Sequence, residues 1–147
     1  MADTMTEDGA QISRLSLVVA SGTYEKVHYA FVMATGAAAI GIPVTMFFTM
    51  GACRAVLDGA GWHELPSELD GMRAKDRDED FAEKGVATMD ELIDSAAELG
   101  VRFMVCEMGL RAESLKDRDP RDGLDLTRTG VVTFLGDAEP GGSIVYV

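Results

Sequence analysis

The chain contains an uncharged run from Val27 to Cys53, without Asp, Glu, Lys or Arg, and this run limits the folds that it can adopt. A run of this length could cross a membrane, which takes roughly 20 apolar residues. Gly41 and Pro43 interrupt it, however, and a glycine followed closely by a proline ends a helix. Val44 to Phe48 then has the β-branched and aromatic composition of a strand. We therefore predict a helix from Tyr24 to Gly41, a buried strand after it, and no association with membranes.

Other apolar segments also have strand character. Leu15 to Ala20 is apolar almost throughout, as expected for a parallel strand that is covered on both faces. Val101 to Cys106 and Ser143 to Val147 are similar. Val131 to Leu135 has strand propensity but also fits the first turns of a helix capped by Thr129, and we favour the helix. Strands and helices thus alternate as in a layered α/β domain, without internal repeats.

We expect one domain that spans the whole chain of 147 residues. Thr88 and Glu91 match a capping box and predict a helix before the strand that ends at residue 106. Residues 58–87 contain chain breakers and mixed charge, which indicates a surface excursion. Residues 117–128 are expected to be largely loop. Residues 1–12 are small, polar and acidic, and we expect a flexible tail there.

The charge balance and the cysteine content indicate a protein of the reducing cytoplasm. The formal net charge is −12 and the isoelectric point is near 4.4. Nucleic acids and anionic lipids bind proteins through clustered Lys and Arg side chains, so neither is an expected partner of this acidic chain. The chain has two cysteines, Cys53 and Cys106, and Met1 to Gln11 lacks the pattern of a signal sequence. We therefore expect free thiols and a cytoplasmic location.

Cys106 is the main candidate for function. It ends a predicted strand and is followed at once by Glu107-Met108-Gly109-Leu110, which places the thiol at a strand-to-helix turn. Ligands and chemistry gather at the carboxyl ends of strands in α/β folds. The start of a helix also lowers a thiol pKa through free N–H groups and partial positive charge. The alternative is that Cys106 is a small buried hydrophobe, a common role of free cysteine and the one that spacing alone favours.

Cys53 lies a few residues past the second strand and is a candidate second thiol. A two-cysteine redox protein needs Cys53 and Cys106 within disulfide range, and the sequence contains no Cys-x-x-Cys motif. We expect simple packing of Cys53 and keep the redox pair as an alternative.

The turn of Ser21, Gly22 and Thr23 is a second candidate site. It joins the first strand to the first helix, where N–H groups and hydroxyls bind anions in many folds. It matches neither of the glycine-rich nucleotide motifs. His28 and His63 have no further Cys or His at metal-ligand spacing. We therefore predict no metal and no cofactor.

The helix over residues 24–41 predicts an assembly. From Ala30 to Ile40 its whole circumference is apolar or small. One face is enough to cover its own sheet, so the other face needs another layer. We expect a homo-oligomer that buries this helix, and the alternative is an Ala- and Gly-rich face that tolerates water.

The chain resembles the DsrE/DsrF-like family of small sulfur-handling proteins. The segments that carry the resemblance are residues 29–48, the Val105-Cys106-Glu107-Met108-Gly109-Leu110 turn and residues 130–138, within a similarity from Leu15 to Val147. The resemblance implies a three-layer α/β/α sandwich with a mostly parallel five-stranded sheet. It also implies trimers, hexamers or related assemblies.

The resemblance further implies a function. In sulfur-relay members of the family, the cysteine that matches Cys106 accepts sulfane sulfur as a persulfide and passes it to a partner protein. We therefore expect a sulfurtransferase-type sulfur carrier with Cys106 as acceptor, and with Cys53, which matches no family motif, as a bystander. The alternative is a non-catalytic small-ligand or protein-interaction module of the same fold. The candidate substrate- or anion-binding residues are Ser21, Gly22, Thr23, Glu107, Met108 and Gly109.

Overall fold

The computed structural model describes residues 12–147. Its elements in chain order are β1 (Leu15–Val19), α1 (Tyr24–Ala39), β2 (Val44–Phe48), two 3₁₀ helices (Met50–Val56 and Gly61–Glu64), α2 (Ala74–Glu83), α3 (Met89–Glu98), β3 (Arg102–Cys106), α4 (Glu107–Ala112), β4 (Leu126–Thr129), α5 (Val131–Asp137) and β5 (Ser143–Tyr146). The tail expected at residues 1–12 falls outside the described residues except for Ile12, which packs against the core.

The five strands form one parallel sheet in the order β4-β3-β2-β1-β5. This confirms the predicted α/β fold with a five-stranded sheet. The helix that we favoured over a strand for Val131 to Leu135 is also confirmed, since these residues lie in α5.

The two faces of the sheet are covered very differently. Alternate strand residues such as Leu17, Met46 and Val105 point to the large core beneath α1 and α3, which we call the α1 face. The residues between them, including Phe47 and Met104, point to a much smaller cluster on the opposite face, which we call the α5 face.

The strand order explains this asymmetry. The connections β1 to β2, β2 to β3 and β3 to β4 each lead to the neighbouring strand on the same side. Because such crossovers are right-handed, their helices all lie on one face of the sheet. The connection from β4 to β5 runs back across the whole sheet, so its helix, α5, lies on the other face. Within residues 12–147, the second helical layer of the sandwich is therefore a single helix of seven residues.

Local signals set the ends of α1 and α3. The Thr23 side chain accepts a hydrogen bond from the Lys26 N–H at the start of α1, and Gly41 follows its end with a positive φ of 88°. The predicted capping box of Thr88 and Glu91 is present at the start of α3. In the described residues, no helix is both long enough and apolar enough to span a bilayer.

The edge strand β4, which the sequence did not predict, overlaps the segment that we expected to be largely loop. Leu126–Thr129 is a short edge strand, and Leu126 is its single apolar residue. It pairs with β3 through its backbone, from Phe103 opposite Leu126 to Cys106 opposite Thr129. The prediction of loop holds for residues 117–125 and was wrong for residues 126–128, because a polar edge strand gives no hydrophobic signal.

Residues 58–87 are more than the surface excursion that we expected. Trp62, Leu65 and Ala74 in this segment are buried in the main core. Polar contacts hold the highly charged α2 against α1: the Tyr24 hydroxyl donates to Asp78 Oδ1 at 2.5 Å, and Arg77 forms an ion pair with Glu25. Such long-range pairs leave no periodic signal in the sequence.

The outer side of α1 is partly covered by the same chain. α3 packs along α1, and Ala30 and Phe31 are buried. Tyr29 remains 60% exposed and Ile40 is exposed at the end of the helix. The predicted homo-oligomer through residues 24–41 stays a prediction, with Tyr29 and Ile40 as its available apolar surface.

Candidate functional site

Cys106 lies at the predicted strand-to-helix turn. It is the last residue of β3 and the N-cap of α4, with extended backbone angles. Its sulfur accepts a hydrogen bond from the Gly109 N–H, with an Sγ to N distance of 3.4 Å. β3 therefore positions the thiol, and the first turn of α4 supplies a donor that also suits a negatively charged sulfur.

Cys106 is buried rather than exposed at the rim of a crevice. Only 3% of the residue is accessible, and it belongs to the α5-face cluster with Phe47, Met104 and Phe134. Phe134 comes from α5 and stacks on Phe47 with 4.8 Å between ring centroids. The thiol is therefore covered by the short helix α5, which follows the neighbouring strand β4.

Close contacts between loops fix the turn that holds Cys106. A Cβ atom at Gly109 would lie 2.6 Å from the Met50 backbone nitrogen and 2.7 Å from Thr49 Oγ1. A Cβ at Gly22 would likewise lie 3.0 Å from Gly51. The loops after β1, β2 and β3 thus interlock without space for side chains, and Met50 between them adopts a positive φ of 51°.

Cys53 packs in a different cluster. It is fully buried in the α1-face core, and its thiol contacts the Phe48 carbonyl at 3.7 Å. Burial, together with repulsion from Cys106 and Glu113, raises the pKa of the Cys53 thiol to about 12. At neutral pH this thiol is protonated and shielded, which agrees with the packing role expected from the sequence.

The Ser21 to Thr23 turn is occupied by the chain's own carboxylate. The Thr23 hydroxyl donates to Glu68 Oε2 at 2.7 Å, and the Lys26 ammonium lies 3.2 Å from the same oxygen. These two hydrogen bonds lower the pKa of Glu68. The Ser21 N–H donates to the Val147 carbonyl. Anion binding by this turn stays a prediction, and an incoming anion would compete with Glu68.

The other candidate residues divide by exposure. Glu107 and Met108 on α4 face solvent, whereas Gly109 is buried against the β2 loop. His28 Nε2–H donates to the Ala87 carbonyl at 2.8 Å, and His63 lies against Trp62. In residues 12–147, no three His, Cys, Asp or Glu side chains are grouped as metal ligands.

The polar anchor of α5 was not predicted from the sequence. Asp137, the last residue of α5, accepts hydrogen bonds from Arg102 at 2.7 Å and from the Thr45 hydroxyl at 3.2 Å. Burial alone would raise the pKa of Asp137, but Arg102 and the nearby Arg14 outweigh it and lower the pKa. The crossover rule could have placed α5 on the Cys106 face if β4 had been recognised.

Comparison with known proteins supports the resemblance. The model of the DsrE/DsrF/DrsH-like family matches residues 11–56, from β1 through the first 3₁₀ helix. The crystal structure of the ychN protein from E. coli has the same fold, with a TM-score of 0.56 over 92% of this chain and 100% of that chain, at 10% identity. The chain is thus similar to this family over residues 11–56 and shares the fold of ychN.

A curated relative extends the similarity beyond the matched segment. The chain is 28% identical over 165 residues to the uncharacterized protein YrkE of Bacillus subtilis strain 168. The alignment covers 97% of the chain and 100% of the relative, so it includes the β3–α4 turn and α5. The family match itself ends before Cys106.

Proposed function

We propose that the protein is a cytoplasmic sulfur carrier that holds sulfane sulfur as a persulfide on Cys106. The DsrE/DsrF-like family suggests sulfur relay. The observation that carries the proposal is the placement of the Cys106 sulfur at the end of β3, where the Gly109 N–H donates to it at 3.4 Å. A donor at this distance stabilises negative charge on the thiolate and on a persulfide sulfur.

Loading and release are two displacements at sulfur. The Cys106 thiolate attacks the sulfane sulfur of a donor such as thiosulfate or a hydropolysulfide, so that a new S–S bond forms on Cys106. The old bond to the donor breaks, and sulfite or the shortened polysulfide leaves with the electron pair. An acceptor thiolate then attacks the terminal sulfur, and the Cys106 thiolate leaves unchanged.

Cys53 has no part in this cycle. Its thiol is fully buried and its pKa is raised to about 12, so almost no thiolate is present at neutral pH. Its carbonyl contact with Phe48 also belongs to the core on the other side of the sheet.

Intact-mass measurement after incubation with a sulfane donor tests the proposal. The wild-type protein and Cys53→Ala should gain the mass of one sulfur atom, and the gain should disappear on treatment with a reductant. Cys106→Ser should gain nothing. Loading of Cys106→Ser to the wild-type level, or no loading of the wild type by either thiosulfate or a hydropolysulfide, would overturn the proposal.

The second candidate function is a non-catalytic binding module of the same fold. The burial of Cys106 favours it, since a thiol that is only 3% exposed is typical of a cysteine whose role is packing. A wild-type protein that takes up no sulfur and remains fully folded would favour this function.

A further inference from the structure

The cover over Cys106 is a weak helix. α5 has seven residues, begins with Val131, Val132 and Thr133, and contains Gly136, all of which have low helix propensity. Its N-cap is Gly130, which provides no side-chain hydrogen bond. A helix this short is not stable alone, so its contacts with the sheet hold it in place.

Those contacts differ between the two ends of α5. At the C-terminal end, Asp137 is anchored to Arg102 of β3 and Thr45 of β2. In the middle of α5, Phe134 is fully buried in the cluster that includes Cys106, while Val132 in the first turn is 81% exposed. Because Thr129 pairs in register with Cys106, the uncapped first turn of α5 begins at the end of the sheet where the thiol lies.

We propose that Phe134 is the specificity-determining residue of the Cys106 site, and that the first turn of α5 lifts from the sheet to admit reagents while Asp137 keeps the other end attached. A small sulfane donor, of the size of thiosulfate or a short polysulfide, passes through a small opening. A bulky thiol needs α5 to be displaced further, so it reacts more slowly. This selection by size rests on the proposed function for its biological meaning.

The physical basis is a difference in the free energy of opening. Exposing Cys106 requires the loss of the Phe134 contacts and a few backbone hydrogen bonds of α5, whereas exposing Cys53 requires opening of the main core. Local opening of a short, weakly held element costs less than global unfolding. Cys53 is therefore an internal monitor of global unfolding within the same molecule.

Alkylation in native buffer, followed by mass spectrometry of the two cysteine peptides, tests the proposal. Iodoacetamide serves as the small reagent and a polyethylene-glycol maleimide as the bulky one. Cys106 should be modified about tenfold or more faster than Cys53, and its rate should depend only weakly on low urea concentrations. If both cysteines react at the same rate with the same steep urea dependence, Cys106 opens only by global unfolding and the proposal fails.

Variants of α5 test the role of Phe134. Phe134→Ala should accelerate the reaction of Cys106 with the bulky maleimide more than its reaction with iodoacetamide. The ratio of the two rates at Cys106 should then approach the ratio measured for a free cysteine peptide. Val132→Ala, an exposed change on the same helix, should leave the ratio unchanged. Phe134→Leu serves if Phe134→Ala does not fold, and the Cys53 rate corrects for lost global stability. An unchanged ratio in the folded Phe134 variant would overturn the proposal.

These outcomes separate the cover from the chemistry. Alkylation requires no persulfide, so a thiol that opens through α5 but accepts no sulfur would support the role of Phe134 and contradict the proposed function. Sulfur loading of Cys106 at equal rates in the wild type and Phe134→Ala, with unchanged size selection, would support the proposed function and contradict the role of Phe134.

Discussion

Gly109 and Met50 approach so closely that a Cβ atom on Gly109 would lie 2.6 Å from the Met50 backbone nitrogen. Both partners are constrained, since Met50 has a positive φ and Gly109 belongs to the first turn of α4. The contact joins the loop after β2 to the turn that holds Cys106. The position of the candidate thiol is thus fixed by backbone packing.

Replacement of Gly109 by alanine should destabilise the protein by about 3 kcal/mol, because backbone atoms must move to make room for the Cβ. Gly36→Ala in α1 is the matched control. A Cβ there meets nothing within 4 Å, and the gain in helix propensity should stabilise the protein by about 0.5–1 kcal/mol. Urea unfolding measures both variants, and equal stabilities would contradict the proposed packing.

Ser114→Gly should stabilise the protein by about 0.5–1 kcal/mol. Ser114 follows α4 with a positive φ of 59°, a conformation in which a side chain is strained and glycine is not. Ser95→Gly in the exposed interior of α3 should instead cost about 0.5 kcal/mol. Thermal or urea unfolding measures the stability of both variants. A loss of stability in Ser114→Gly as well as in Ser95→Gly would count against backbone strain at Ser114.

Glu25 should contribute to acid lability. Burial alone would raise its pKa, but hydrogen bonds from the Ser67 hydroxyl, the Glu68 N–H and Arg77 lower the pKa below its ordinary value. A folded-state pKa below the unfolded one gives stability that is complete above the unfolded value, near 4.3, and is lost as the pH falls through the folded pKa.

Glu25→Gln should therefore lower the free energy of unfolding at pH 7 by about 1–3 kcal/mol and make its decline below about pH 4.3 shallower. Glu98→Gln, at an exposed position of α3, is the control and should change neither quantity. Urea midpoints measured from pH 7 to pH 3 give both results. A parallel decline in wild type and Glu25→Gln would show that the ionisation of Glu25 is not linked to folding.

The assembly predicted through α1 should depend on Tyr29. Tyr29→Glu places a charge on the exposed side of α1 and should dissociate the oligomer, because an unpaired charge at an apolar interface is costly. Tyr146→Glu changes a tyrosine that is 74% exposed on β5 and should leave the assembly intact. Sedimentation measures both. A monomeric wild type, or dissociation by Tyr146→Glu alone, would contradict the prediction.

The sequence predicted the elements that carry their own signals. Cys106 was correctly placed at a strand-to-helix turn because an apolar strand, Arg102–Cys106, precedes it and a helix follows. The capping box at Thr88 likewise marked the start of α3. Both signals are local, and local patterns of periodicity and capping are what a single sequence expresses most directly.

Features that depend on distant partners were not predictable in this way. β4 is recognisable through its backbone pairing with β3, since Thr127 to Thr129 are polar. The burial of Cys106 depends on Phe134, which reaches it only because the last crossover returns across the sheet. The burial of the thiol thus follows from the strand order, which no local sequence pattern expresses.

The return crossover from β4 to β5 also joins parts of the site that lie far apart in the sequence. Cys106 and most of the α1-face core precede α5, so the segment that ends at β4 contains the thiol but not the helix that covers it. The same connection that supplies this helix carries the chain back to β5, which pairs with β1 at the opposite side of the sheet. The thiol and its cover therefore come together only through the connection that crosses the full width of the sheet.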